Sequence, residues 1–154
     1  MVVYYLDTSA LVKRYAREEG TAWILSLTDV TAEHDLYTVR MTGPEMIAAL
    51  FRKARTGEIS PDDASRSAES FRADWRRQYQ IGEVTALVAD KAMELAEKHG
   101  LRGYDAVHLA SAVVLQQMRE ARELPSLTFV SAGAQQRETA AVEGLPVEDP
   151  NEHH

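Results

Sequence analysis

The sequence predicts an α/β fold: a mostly parallel sheet covered by helices on both faces, wound in both directions from its first strand. Short β-favouring runs alternate with amphipathic helical stretches along nearly the whole chain, which is the pattern of parallel crossover units. The 154 residues fall in the single-domain range, and 45% hydrophobic with 27% charged residues is an ordinary globular balance. No repeat or low-complexity segment interrupts the pattern.

Val2 to Leu6 is a β-favouring run, and Ser9 to Glu19 sets Leu11, Val12 and Tyr15 at helical spacing behind a polar cap, so strand, turn and helix come in succession. Gly20 to Leu27 reads as a second helix, and Asp35 to Thr42 as a strand carrying Leu36, Tyr37 and Val39. Thr42-Gly43-Pro44-Glu45 opens a helix that runs from Pro44 to Arg55, with Met46, Ile47, Leu50 and Phe51 on one side and Gly57 as the stop. Pro61-Asp62-Asp63 starts the next, in which Ala64, Ala68, Phe71 and Trp75 recur every three or four residues, so the two helices are expected to form a hairpin. Ile81 to Val84 is a short strand, Ala86 to His99 a helix ended by Gly100, and Asp105 to Arg122 a mostly apolar helix. Leu127 to Val130 is a strand, Gln135 to Val142 a helix, and Leu145 to Val147 an edge strand before Pro150. Residues 1–150 are expected to form one domain. Residues 151–154, Asn-Glu-His-His, resemble a tail or tag remnant, so those histidines are set aside.

The bulk chemistry narrows the function. The chain has no cysteine, which excludes disulfides and thiolate metal sites; with no basic leader before Leu6 and no apolar run of membrane-spanning length, a cytoplasmic protein is expected. Twenty-four acids against 17 basic residues give a net charge of −7, which opposes unaided binding to a polyanion. The basic residues are bunched, however, as Lys13, Arg14 and Arg17, and as Arg52, Lys53 and Arg55, so a local positive rim is compatible with that total.

Three acids stand out by position. Asp7 directly follows the first strand, where the carboxyl edge of a parallel sheet presents groups to a ligand, although Asp7 or Ser9 can equally cap the next helix. Glu45 lies three residues after Thr42, the spacing of a capping box. Asp105 sits in the first turn of its helix, where the dipole favours a negative charge. Each has an ordinary structural explanation alone, yet all three open helices whose starts converge on one sheet edge. Gathered carboxylates repel, and a hard cation relieves that repulsion; oxygen-only ligands without cysteine or paired histidines select Mg²⁺ or Mn²⁺.

His108, one turn after Asp105 in an apolar helix, reads first as a hydrogen-bonded core histidine. Trp23, Trp75 and the tyrosines read as core. No phosphate-binding loop, dinucleotide fingerprint or nucleophile elbow is present.

The segment from Tyr4 to Tyr15 (YYLDTSALVKRY), the segment from Glu45 to Leu50 (EMIAAL) and the segment from Leu101 to Ala112 (LRGYDAVHLASA) resemble, in order and separation, the three acidic segments of PIN-domain toxins of the VapC-like branch. The resemblance covers nearly the whole chain. It implies a Rossmann-like α/β/α sandwich and an Mg²⁺- or Mn²⁺-dependent ribonuclease, inhibited by a small cognate antitoxin and expected to act as a homodimer. Asp7, Glu45 and Asp105 carry over as catalytic, metal-holding acids, with Thr8 and Ser9 as hydroxyls beside the first. One departure stands out: the family places a fourth acid in a Ser-x-Asp pattern after the late strand, whereas this chain has Ser131-Ala132-Gly133. Ser131 and water are the expected replacements, with Glu138 less well placed. Arg14, Arg17 and Arg102 are the candidate RNA phosphate contacts.

The expected chemistry is metal-assisted phosphodiester hydrolysis. The alternative is a catalytically weakened PIN module, with Gly133 in place of the fourth acid, that works through antitoxin binding and regulation. A phosphotransferase with Asp7 as nucleophile is a weaker rival, because no second acid follows two residues on.

Overall fold

A computed structural model describes residues 1–153. Among these, five strands alternate with seven α-helices: β1 (Val3–Leu6), α1 (Thr8–Tyr15), α2 (Thr21–Thr28), β2 (Asp35–Val39), α3 (Thr42–Arg55), α4 (Pro61–Arg77), β3 (Gln80–Gly82), α5 (Ala86–His99), α6 (Gly103–Ala121), β4 (Leu127–Val130), α7 (Ala134–Val142) and β5 (Val147–Glu148). All strand pairings are parallel, in the order β3-β2-β1-β4-β5, with Val3 beside Asp35 on one side and Leu127 on the other. The expected α/β sandwich is therefore present.

Alternation along the strands divides the core in two. Val3, Tyr5, Leu127 and Phe129 face α5, α6 and α7, while Leu6, Leu36 and Val130 face the layer of α1 to α4. Leu6, Leu109 and Phe129 have no exposed surface, and each such side chain contributes about 1.5–3 kcal/mol of burial. No helix among the described residues is long and apolar enough to cross a membrane.

Three boundaries differ from the sequence reading for local reasons. The first helix stops at Tyr15 instead of Glu19, because Ala16 is extended and the chain must reach Gly20. Gly20 has φ +87°, and a Cβ there would lie 2.5 Å from the Pro150 carbonyl oxygen, so only glycine fits. The last strand shifts to Val147–Glu148, since Leu145 is drawn into the core beneath α7. Of the segment read as a tail, residues 151–153 lie against the domain: Pro150–Glu152 form a 3-10 turn, and the His153 ring stacks on Trp23 with centroids 4.0 Å apart. His154 lies outside the described residues.

The chain leaves β1 toward β2 and β3, then crosses back to β4 and β5. The direction of winding reverses between β1 and β4, and a crevice opens there at the carboxyl ends of the strands, the usual ligand position in such sheets.

Candidate active site

A cavity of about 410 Å³ occupies that crevice. Asp7, Thr8 and Ser9 reach it from the β1–α1 turn, Ser131 and Gly133 from the end of β4, and Asp105 and His108 from the first turns of α6; Glu45 comes from α3. The three acids singled out in the sequence thus share one space.

Asp7 is buried and both a helix cap and a cavity wall. Its Oδ1 accepts from the Ala10 amide at 3.1 Å and from the Ser9 hydroxyl at 2.6 Å. These bonds fix the carboxylate and leave Oδ2 to the cavity side of the network. Ser9 Oγ in turn accepts from the Ala132 amide at 3.0 Å, which ties the β1 turn to the β4 turn across the crevice.

Glu45 is not engaged as its sequence spacing suggested. Thr42 lies inside α3, whose N-cap is Met41, and its hydroxyl bonds to that of Thr38 at 2.7 Å, so no capping box forms. Released from that role, Glu45 Oε1 accepts from Thr8 Oγ1 at 3.0 Å and contacts His108 Nε2 at 2.7 Å. A carboxylate can only accept, so Nε2 carries the proton. The other ring nitrogen, Nδ1, lies 3.0 Å from the Tyr5 hydroxyl. Burial pushes the Tyr5 pKa well above the usual phenol value. Its hydroxyl therefore stays protonated and is a hydrogen-bond partner of Nδ1. Strand β1 orients Glu45 through this Tyr5–His108 chain.

Asp105 is the least engaged of the three. Burial raises its carboxyl pKa first, and the Asp7 charge adds to this, with Glu45 contributing and His108 and Arg102 opposing. Beside it, Gln136 Nε2 donates to the Asp105 carbonyl at 2.7 Å. The Gln136 Oε1 is buried without a partner.

The donor chemistry fits a hydrated hard cation. The acids are oxygen donors lining one cavity, and at Asp105 the charge of Asp7 already opposes ionisation. Among the described residues no three acidic or histidine side chains are gathered into a ready-made cage. Acids that line a cavity without closing on one point suit only an ion that keeps several of its own waters, as Mg²⁺ usually does.

The remaining candidates divide. Ser131 is fully buried, and its Oγ accepts from the Gly133 amide at 3.1 Å and lies 3.4 Å from Ser9 Oγ. Gly133 caps α7 with φ −82°, and a Cβ there would meet nothing nearer than 3.6 Å, so the missing fourth acid reflects no steric bar. Glu138 is exposed on α7 and does not line the cavity. Of the three arginines, Arg102 lines the cavity. Arg17 is exposed beside a different cleft, and Arg14 is half-buried, donating to Gln78 Oε1 at 2.7 Å and to the Tyr79 hydroxyl at 2.6 Å. Both lie outside the cavity, because Arg14 falls about two helical turns beyond Asp7 and Arg17 lies past the end of α1. Sequence reasoning passed over Tyr5 and Gln136 and took His108 for core. His108 is indeed core, and its one-turn spacing from Asp105 was the available signal that it also reaches the acids.

Set against known proteins, residues 4–141 match the family model described as PIN domain. The chain is 37% identical over 118 residues to "Ribonuclease VapC45" of Mycobacterium tuberculosis (strain CDC 1551 / Oshkosh), covering 75% of this chain and 78% of that protein. Among solved structures, PAE2754 from Pyrobaculum aerophilum superposes with a TM-score of 0.62 at 22% identity, over 98% of this chain and 91% of that one. VapBC2 from Rickettsia felis, bound to a DNA fragment from its promoter, superposes with a TM-score of 0.59 at 14% identity, over 96% of this chain and 98% of that one. At such identities the structural likeness speaks for the fold alone.

Proposed function

The chain belongs to the PIN domain family, and from that premise we propose that it is a divalent-metal-dependent endoribonuclease, the toxin of a toxin–antitoxin pair. The observation that carries this reading is the cavity at the winding reversal, lined by Asp7, Glu45 and Asp105. The name of the relative, a ribonuclease, supports RNA as the substrate. A toxin–antitoxin complex from Klebsiella pneumoniae, which superposes with a TM-score of 0.60 at 14% identity, supports a small antitoxin as partner.

Asp7, Glu45 and Asp105 would hold Mg²⁺ or Mn²⁺, which when bound stabilises charge on the phosphate. The chain's own part is positioning. Ser9 and the Ala10 amide pin the Asp7 carboxylate, and Thr8 and His108 pin Glu45 by Oε1. Asp105, free of such bonds among the described residues, would accept a hydrogen bond from the attacking water. Arg102, at the exposed rim, would meet a phosphate oxygen, while Thr8, Ser9 and Ser131 shape the wall. The protein acts in the cytoplasm, and the exposed Val84, Leu87 and Met118 beside β3 give a second copy an apolar face to join.

The second reading, a weakened module acting through antitoxin binding, rests on Gly133. Both are tested by assaying RNA cleavage with Mn²⁺ on antitoxin-free protein beside Asp7→Ala and Gly133→Asp. Cleavage by the parent and a loss of about a thousandfold in Asp7→Ala, about 4 kcal/mol of barrier, supports the enzyme. Cleavage that begins only with Gly133→Asp supports the weakened module, and cleavage unchanged by Asp7→Ala contradicts both.

A further inference from the structure

A second cleft, of about 350 Å³, shares Ser9 with the acid cavity and also includes Ala132, which lies between two residues of that cavity, Ser131 and Gly133. Its walls carry Lys13, Arg52 and Lys53 against Glu18 and Glu58, one positive charge in excess in a chain of net charge −7, with Lys13 buried and Arg52 exposed. Helical periodicity makes the two clefts one track. On α3, Glu45, Ala49, Arg52 and Thr56 recur at four, three and four residues, so the acid at the start of the helix and the cations two turns later lie along one face. On α1, Ser9 and Lys13 are one turn apart in the same way. The seven residues from Glu45 to Arg52 span about 10 Å along the axis.

Lys13 and Lys53 are brought together by one carboxylate, Glu18, whose oxygens lie 3.8 Å and 3.4 Å from their ammonium groups. Lys53 also reaches Glu58, whose side chain is largely exposed. Arg52 is exposed and makes no ion pair among the described residues. Two lysines are balanced by Glu18 and Glu58, and the free Arg52 guanidinium beside them leaves the cleft one positive charge in excess at the mouth of an acidic cavity. An acidic peptide extended along both clefts would be repelled by Asp7, Glu45 and Asp105. A polyphosphate strand is held by the basic cleft without a cation, and a cation is needed only to shield the acids at the one phosphate that enters the cavity to be cleaved.

We propose that the α1–α3 cleft lined by Lys13, Arg52 and Lys53 is the track that binds the single-stranded RNA backbone flanking the cleaved phosphate. The inference rests on the reading of the acid cavity as an RNA-cleaving centre. It moves the backbone contacts from Arg14 and Arg17 to a different set of cations.

The test is fluorescence anisotropy of a short labelled single strand of RNA in EDTA, which keeps cleavage out of play, with KCl varied between about 50 and 200 mM. Each phosphate contact to a single strand contributes about 0.7 to the slope of log affinity against log salt, so the two solvent-reachable cations, Arg52 and Lys53, predict a slope of about 1.4. Arg52→Ala and Lys53→Ala, both at solvent-reachable positions, are each expected to lower the slope by about 0.7, while Arg14→Ala leaves it unchanged. Melting curves confirm that the variants are folded. Slopes in Arg52→Ala and Lys53→Ala equal to the parent's, or a labelled poly-glutamate peptide binding with the same salt dependence as RNA, would overturn the proposal. Because binding in EDTA is independent of cleavage, protein that passes this test yet leaves RNA uncut with Mn²⁺ refutes the enzymatic reading and not the track.

Discussion

Two polar clusters sit against the α1 helix, and they are built on opposite rules. At its start, Asp7, Glu45 and Asp105 bring like charges into one cavity; among the described residues Asp105 has no hydrogen-bonded partner for its carboxylate, and Gln136 Oε1 is buried without one. At its end, Arg14, Tyr15, Asp74, Gln78 and Tyr79 form a closed network. Arg14 donates to Tyr79 and Gln78, the Tyr15 and Tyr79 hydroxyls bond to each other, Tyr15 donates to Asp74 at 2.7 Å, and Asp74 lies 3.5 Å from the Arg14 guanidinium. Charge is balanced and the donors find acceptors. A saturated cluster answers its own charges and acts as cement, whereas the acids at the other end share their cavity with one arginine, Arg102, and keep hydrogen-bonding capacity unused.

Arg14→Met breaks the comparison most severely if it is wrong. It strands Asp74 and the tyrosine hydroxyls in a partly buried site, so a loss of about 2 kcal/mol is expected, roughly 4–8 °C in melting temperature. RNA cleavage by the folded fraction should not change. A stable variant with impaired cleavage would make the closed cluster functional after all.

Tyr5→Phe sharpens the other side. Removing one hydroxyl leaves His108 Nδ1 without its partner and should cost about 1 kcal/mol of stability. The expected signature is at the acids: Glu45 loses its orientation, and Mn²⁺ affinity measured by titration calorimetry falls about tenfold. An affinity equal to the parent's would confine Tyr5 and His108 to the core.

The sheet was legible because its strands are short apolar runs set between amphipathic helices, and burial leaves little choice at Leu6, Leu36 or Phe129. The acids were legible because each opens a helix. What the residues alone could not disclose was how the side chains are engaged. The Thr42-x-x-Glu45 spacing suits a capping box, but Thr38, brought over by β2, takes the Thr42 hydroxyl, and a tertiary contact overrides the local one. Arg14 and Arg17 drew notice as basic residues near Asp7 in sequence. Arg14 stands about two turns up α1 and Arg17 beyond its end at Tyr15, so both are well away from the sheet edge.

The central claim is that the acids are gathered at a cost that a hard cation removes. Asp105 retains its proton in the folded chain to a higher pH than when unfolded, so above its ordinary value of 3.8 the folded state binds more protons and its stability falls as pH rises through the raised value. The most direct measurement is the difference in melting temperature between the parent and Asp105→Asn, followed across pH in EDTA and again with saturating Mn²⁺. In EDTA at neutral pH the variant should be the more stable, with the gap closing as pH falls below the ordinary aspartate value; with Mn²⁺ the order should invert in favour of the parent. A variant that is less stable than the parent in EDTA at neutral pH, or a gap that Mn²⁺ leaves untouched, would contradict the claim.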